Sequence, residues 1–270
     1  MLCLPERSVT TLDYIHHMDA LSLLRALPAG SVDCVVTSPP YNLRNTSGGG
    51  LPQSGKWKNA ALIDGYEEHD DDMPHPEYVA WQRAVLTECM RLIPDTGAIF
   101  YNHKWRPQDG LLQDRADIVG GFPVRQIIIW QRAGGINFTD RFFLPTYEVI
   151  YMIAKPGFKL QPGANAYGDV WYIPQEANNP HPAPFPVELP RRCILAGSPV
   201  NGVVLDPFMG SGSTAQAAKE TGRHYIGCDT SLKYIQQAKR RLAQPFTLSM
   251  FDRIEKPAAP EQLALAGMTV

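Results

Sequence analysis

Short apolar or β-branched runs alternate along this 270-residue chain with segments whose apolar positions recur every three or four residues. Runs at Val32–Thr37, Ala98–Tyr101, Gln126–Trp130, Tyr147–Ile153, Val203–Asp206 and Tyr225–Asp229 read as strands, and Tyr14–Met18 is a weaker one. Amphipathic periodicity predicts helices over Ala20–Ala26, Glu77–Ile93, Pro107–Val119, Val187–Ala196, Thr214–Thr221 and Ser231–Leu242. Strands alternating with helices argue for βαβ units around a mainly parallel sheet. Such sheets bind ligands beyond the carboxyl ends of their strands.

Three stretches break the rhythm. Asn45–Asp72 carries SGGG, PQSGKWKN and the acidic EEHDDD, Arg132–Pro145 carries AGG and aromatic residues, and Lys155–Pro186 is rich in proline, glycine and asparagine. Loops this long inside a compact domain are usually functional or disordered. The chain reads as one domain over residues 1–256, with inserted loops at 45–75 and 132–180 and a loose tail at 257–270.

Composition narrows the class. With 44% hydrophobic and 19% charged residues the chain is an ordinary globular protein. No run approaches the ~20 apolar residues that span a bilayer, and MLCLPERSVT lacks the apolar core of a signal peptide, so a cytoplasmic protein is expected. The five cysteines (Cys3, Cys34, Cys89, Cys193, Cys228) are odd in number and scattered, which argues against structural zinc, any other metal site and a disulfide framework. A net charge of −2 gives no overall pull on a polyanion. Local basic groups remain: Lys56 and Lys58 around Trp57, Lys104 with Arg106, Arg132 with Arg141, and Arg191 with Arg192. Each also fits a plain solvated surface.

Two motifs carry chemistry. In VVLDPFMGSGSTAQAAKETG a strand passes into a glycine loop and then a helix. Gly210 and Gly212 permit positive φ and close backbone approach, and the helix start offers unpaired N–H groups. Asp206 closes the strand, where a carboxylate can receive an ammonium or hydroxyl. Asp229 closes the next strand, in HYIGCDTS, where it can accept both hydroxyls of a ribose. The layout specifies a nucleoside-containing ligand. It also satisfies the dinucleotide fingerprint G-x-G-x-x-A, but no Lys follows the last glycine as a phosphate-binding Walker loop requires.

The second motif is SPPY, at the end of the run VVT. Its prolines fix φ and donate no N–H, so the carbonyls of Ser38 and Pro39 are held in a stiff turn, able to accept hydrogen bonds. Tyr41 adds a flat face. Two acceptors for an amino group thus sit beside a stacking surface.

TSPPY (Thr37–Tyr41) resembles the catalytic (D/N/S)-P-P-(Y/F) motif of S-adenosylmethionine-dependent DNA amino-methyltransferases, and DPFMGSGST (Asp206–Thr214) resembles their cofactor loop. Because the catalytic motif comes first, the chain is similar to the β class of that family, over nearly everything from His17 to Leu242. HMDALSLL (His17–Leu24) is similar to the G-D-A-L segment, with Met18 replacing glycine and Asp19 in the position that implies contact with adenine. HPAPFPVEL (His181–Leu189) is similar to the segment that helps hold the methionine part. The resemblance implies a Rossmann-like methyltransferase fold: an α/β domain with a mostly parallel seven-stranded sheet, helices on both faces and a circularly permuted motif order. It also implies S-adenosyl-L-methionine as cofactor, held by Asp19, His181, Pro182, Phe185, Asp206, Phe208, Gly210, Ser211, Gly212, Ser213, Thr214 and Asp229. Double-stranded DNA is the implied substrate and a homodimer the implied assembly, acting in the cytoplasm beside the nucleoid, and both a solitary enzyme and one paired with a cognate restriction endonuclease fit the resemblance.

On that reading Ser38, Pro39, Pro40 and Tyr41 form the catalytic turn. An exocyclic amine is a poor nucleophile because its lone pair is delocalised. Hydrogen bonds from its N–H groups to the Ser38 side chain and the Pro39 carbonyl would pull it toward a pyramidal state, and no covalent intermediate is needed. A base inside a duplex cannot reach such a site, so it should flip out and stack on Tyr41. The inserted loops are then candidates for DNA contact through Lys56, Trp57, Lys58, Arg132, Asn137 and Arg141. Asn102 and His103 end the strand GAIFYNH at the same crevice, and a structural role is expected for His103. Glu148 resembles a family position near the later strands, and a structural role fits it equally.

Ser in place of Asp before PPY is more typical of cytosine-N4 enzymes, whereas PPYNL, NHK and HPAPFP look more like the adenine-N6 group, which is preferred. A nicotinamide-dependent oxidoreductase would need a second βαβ half after Asp229, where only one helix and a short tail follow. An inactive DNA-binding protein would not need Ser38, Tyr41, Asp206 and Asp229 together.

Overall fold

The structure, a computed structural model, describes residues 11–42, 73–108, 111–132, 140–174 and 185–245. Its strands are β1 (Tyr14–His17), β2 (Cys34–Thr37), β3 (Ala98–His103), β4 (Arg106–Gln108), β5 (Leu111–Gln113), β6 (Val124–Gln131), β7 (Tyr147–Ala154), β8 (Val170–Tyr172), β9 (Val203–Asp206) and β10 (His224–Asp229). The helices are α1 (Ala20–Ala26), α2 (His75–Leu92), α3 (Ala116–Val119), α4 (Glu188–Gly197), α5 (Ser213–Glu220) and α6 (Leu232–Leu242). Eight strands form one sheet in the order β1-β10-β9-β2-β3-β7-β6-β8. Only β7 runs against its neighbours, β3 and β6. The fold is the expected α/β type with a mostly parallel sheet, carrying one strand more than the expected seven.

Central strands are apolar on both faces because helices cover both faces. Side chains alternate, so Cys34, Val36, Ala98 and Phe100 enter a core with α4, α5 and α6. Val35, Ile99 and Tyr101 enter the opposite core, with α1, α2 and α3. The close approach of α4 to the sheet depends on Gly197, where a Cβ would lie 2.5 Å from a ring carbon of Phe100 and 2.9 Å from Cys34 Sγ.

Two sequence expectations change. Residues 107–119, expected to be one helix, instead hold the antiparallel pair β4 and β5 and then the four-residue α3. Asp109-Gly110 between the two strands is a hairpin signal that outweighs the apolar periodicity, and Arg115 at φ 65° stops a helix from running through. Strand β8 lies inside Lys155–Pro186, a stretch whose composition points to loop. It is only three residues long and pairs with β6 at the sheet edge, so it leaves almost no periodic signal. The tail 257–270 lies outside the described residues, as does most of the 45–75 insert. No described helix is long and apolar enough to cross a membrane.

Substituting Gly197→Ala should destabilise the protein by about 1–3 kcal/mol, since the methyl group must displace Phe100 or the helix. Chemical denaturation checks this, and an unchanged midpoint would show that α4 can back away from the sheet freely.

Candidate active site

A cleft of about 340 Å³ opens at the carboxyl ends of β2, β9 and β10 and against the starts of α1 and α6. Its lining brings together Asp19, Ser38, Pro40 and Tyr41 with Phe185, Asp206, Phe208, Gly210, Ser211, Ser213, Thr214 and Asp229. Pro39 and Gly212 are buried behind that surface. Gly212, at φ 86°, lets α6 pack on the loop, since a Cβ would sit 2.7 Å from Ala238 Cβ. Trp81 of α2 also lines the cleft, with its ring edge-on to Phe208 at 5.5 Å. Sequence reading passes over Trp81 because an aromatic residue on an amphipathic helix looks like ordinary core.

Three carboxylates shape one side. Asp19 caps α1 and accepts from the Ser22 N–H at 3.0 Å. Partial burial pushes its pKa up, but hydrogen bonds from Ser22 and Leu21 outweigh this and hold it below the ordinary value. Asp229 accepts from the Gly210 N–H and the Ser231 N–H, both at 2.8 Å, and so joins the glycine loop to the start of α6.

Asp206 is only 3% exposed. Its Oδ1 accepts from Thr37 Oγ1 at 2.8 Å and from the Phe208 N–H at 3.0 Å, and its Oδ2 accepts from Thr214 Oγ1 at 2.6 Å. The carboxylate expected to greet a ligand is thus first a brace among β2, the glycine loop and α5. Burial pushes its pKa up to about 6, against the opposing pull of Thr214, Thr37 and Phe208, and Asp229 nearby adds to the rise.

On the other side, the SPPY turn leads into a buried polar network. Ser38 Oγ lies 2.8 Å from Tyr41 Oη, which donates to Glu148 Oε2 at 3.0 Å. Asn102 Nδ2 reaches Tyr41 Oη at 2.6 Å, Glu148 Oε2 at 3.0 Å and Ser38 Oγ at 3.3 Å. Arg132 Nη1 pairs with Glu148 Oε1 at 3.1 Å. The antiparallel course of β7 makes this possible, because it places Glu148, near the strand's start, beside the ends of β3 and β6. One face of the Tyr41 ring stacks on His103 at 4.9 Å. His103 Nε2 is 2.7 Å from Tyr78 Oη, which donates to the Pro40 carbonyl at 2.8 Å, so His103 braces the turn.

Of the candidate DNA contacts, Arg141 is exposed, whereas Arg132 is largely buried against Glu148, with 12% of its side chain exposed. Lys56, Trp57, Lys58 and Asn137, like His181 and Pro182, lie outside the described residues. No group of three or more His, Cys, Asp or Glu is placed to hold a metal ion among the described residues.

The order of the site along the chain, SPPY turn first and glycine loop second, is that of a permuted methyltransferase, and the sequence profile of the N6/N4 DNA methylase family matches residues 32–240. The chain belongs to this family of DNA amino-methyltransferases. It is 26% identical to the type II methyltransferase M.BglII of Bacillus subtilis, over 86% of this chain and 69% of that one. It is similar to a Thermus thermophilus protein described as a DNA modification methylase and solved with S-adenosyl-L-methionine (28% identity, 85% of this chain and 92% of that one, TM-score 0.61). Its fold also matches the cytosine-N4-specific PvuII DNA methyltransferase, with a TM-score of 0.66 over 87% of this chain and 86% of that one, at 18% identity.

In this methylase the raised pKa of Asp206 has a definite sign. The native state takes up a proton near pH 6, well before the unfolded chain does, so Asp206 favours folding at low pH and that contribution is lost as pH rises through about 6. Relative to Asp206→Asn, the wild-type protein should lose stability between about pH 4 and about pH 7. Calorimetric Tm values across that range test this, and a constant gap between the two proteins would refute it.

Proposed function

We propose that this chain transfers a methyl group from S-adenosyl-L-methionine to the exocyclic amine of a base flipped out of double-stranded DNA, with adenine N6 as the preferred target. The observation that carries the reading is the junction of two unlike halves in one cleft: carboxylates and a glycine loop on one side, and the Ser38–Tyr41 turn on the other.

The residues present suit the cofactor. Asp206, Asp229 and Asp19 offer acceptors for the ammonium, ribose and adenine groups of a cationic nucleoside, in that order, and Trp81, Phe185 and Phe208 offer apolar walls. Gly210, Ser211, Gly212, Ser213 and Thr214 bring the backbone close, and His181 and Pro182 complete the set by family resemblance. When bound, the cofactor supplies a sulfonium methyl whose carbon–sulfur bond breaks, its electron pair leaving with sulfur, as the new carbon–nitrogen bond forms.

The chain's own work is orientation and electrostatics. Ser38 Oγ and the Pro39 carbonyl accept the two amine hydrogens, Pro40 stiffens the turn, and the Tyr41 ring, which lines the cleft, receives the base. The proton then leaves the far more acidic methylated amine to water, since the neutral hydroxyl of Ser38 is no general base. One catalytic domain over 1–256, with the inserts at 45–75 and 132–180 touching DNA through Lys56, Trp57, Lys58, Asn137 and Arg141, belongs to the same proposal. So do cytoplasmic action beside the nucleoid, a homodimer and a cognate endonuclease. Cytosine N4 is the second reading, favoured by Ser38 where adenine enzymes more often carry a carboxylate.

Mass spectrometry of nucleosides from DNA treated with the purified protein and cofactor should show N6-methyladenine. N4-methylcytosine alone would select the second reading, and neither product would remove the proposal. Asp229→Ala should raise the Kd for S-adenosylhomocysteine by roughly ten- to a hundredfold in calorimetry, the worth of a hydrogen bond to a charged acceptor. Unchanged affinity would take Asp229 out of the cofactor site.

A further inference from the structure

Resting on the methyltransferase reading, we propose that Glu148, anchored by Arg132, is a positioning residue that sets the direction of the Tyr41 and Ser38 hydroxyl hydrogens, so that Ser38 meets the substrate amine as an acceptor. The need for such a device follows from the motif. An aspartate before PPY can only accept hydrogen bonds, whereas a serine hydroxyl can also donate. A serine that donated to the amine would occupy the lone pair that must attack the methyl carbon.

The geometry removes that freedom one bond at a time. The Glu148 carboxylate, paired with Arg132 at 3.1 Å, can only accept, so Tyr41 must send its one hydrogen to Glu148 Oε2 at 3.0 Å. The 2.8 Å contact between Tyr41 Oη and Ser38 Oγ then has a single polarity, with Ser38 donating. With Asn102 Nδ2 facing one lone pair of Ser38 at 3.3 Å, the other is what Ser38 offers to the cleft that it lines. Asn102 enforces the same order. Its Nδ2 faces Glu148 Oε2 at 3.0 Å and Tyr41 Oη at 2.6 Å, while its Oδ1 is buried with no hydrogen-bond partner. Turning the amide over would set Oδ1 against the carboxylate, two acceptors face to face, so the unpaired carbonyl is the better arrangement. Tyr41, Asn102 and Glu148 are at most 6% exposed, and water has little access to rearrange them.

No proton needs to reach Glu148 in the reaction. Its charge acts through Tyr41 to orient a neutral group, which gives a serine-type turn the fixed polarity of an aspartate-type one.

The test is a double-mutant cycle in the full-length protein with DNA and S-adenosyl-L-methionine saturating. Glu148→Gln and Tyr41→Phe should each lower kcat on the order of ten- to a hundredfold, because an amide can donate where the carboxylate could not and phenylalanine breaks the relay while keeping the ring. KM for DNA and the Kd for S-adenosylhomocysteine should stay within about twofold, since the relay acts on the reacting atoms and not on binding. The double variant should be no slower than the slower single one. Ser38→Asp, an acceptor without help, should restore most of the turnover lost in Glu148→Gln. Multiplying losses in the double variant, an effect confined to KM, or no recovery by Ser38→Asp would each overturn the proposal. A wild-type protein that methylates no base amine would instead remove the methyltransferase reading, and this proposal with it.

Discussion

A single buried carboxylate holds the two halves of the site at their working distance. Asp206 is bonded to Thr37, 169 positions earlier in the chain, and to Phe208 and Thr214 immediately after it. The end of β2, which launches the SPPY turn, and the start of α5, which closes the glycine loop, therefore share one pair of oxygen atoms. No cation takes part in these three bonds, and burial lifts the pKa to about 6. A group this uncomfortable persists where the surrounding structure over-determines it, and the sheet does so by carrying β9 and β2 side by side.

The cleft divides its polarity sharply. Its carboxylate side suits a cationic nucleoside, and its hydroxyl side, at Ser38 and Tyr41, carries no formal charge. The Glu148 charge lies behind Tyr41 and is paired with Arg132, so it gives the network direction without facing the cleft itself.

The sheet and its helices were legible because central strands buried on both faces read as continuous apolar runs, and the covering helices keep a clean amphipathic period. The glycine loop and the SPPY turn each fit an ordinary turn when taken alone; they were legible through Asp206 and Asp229 in register and through their joint resemblance, in permuted order, to the motifs of a known family. Three things were not readable. The β4–β5 hairpin carries apolar residues at helical spacing, and β8 is too short to show a period. The polar network joins Tyr41, Asn102, Arg132 and Glu148 from four separate segments, a proximity that arises only when β7 inserts antiparallel between β3 and β6. For the same reason Arg132 looks like one more surface cation until the fold pairs it with Glu148.

Hydrogen bonds also tie residue 42 to residue 73 and residue 132 to residue 146, across two of the inserted stretches. Asn42 makes two hydrogen bonds to the backbone of Met73, at 2.7 and 2.8 Å, and Arg132 bonds through its N–H to the Thr146 carbonyl at 2.8 Å while its side chain holds Glu148. Chain closed at its base is thermodynamically insulated: lengthening the excursion adds only a slowly growing entropy term and leaves the anchoring atoms in place. Changes of length or composition between 42 and 73, or between 132 and 146, thus leave the Asn42–Met73 contact and the Arg132–Glu148 pair in place.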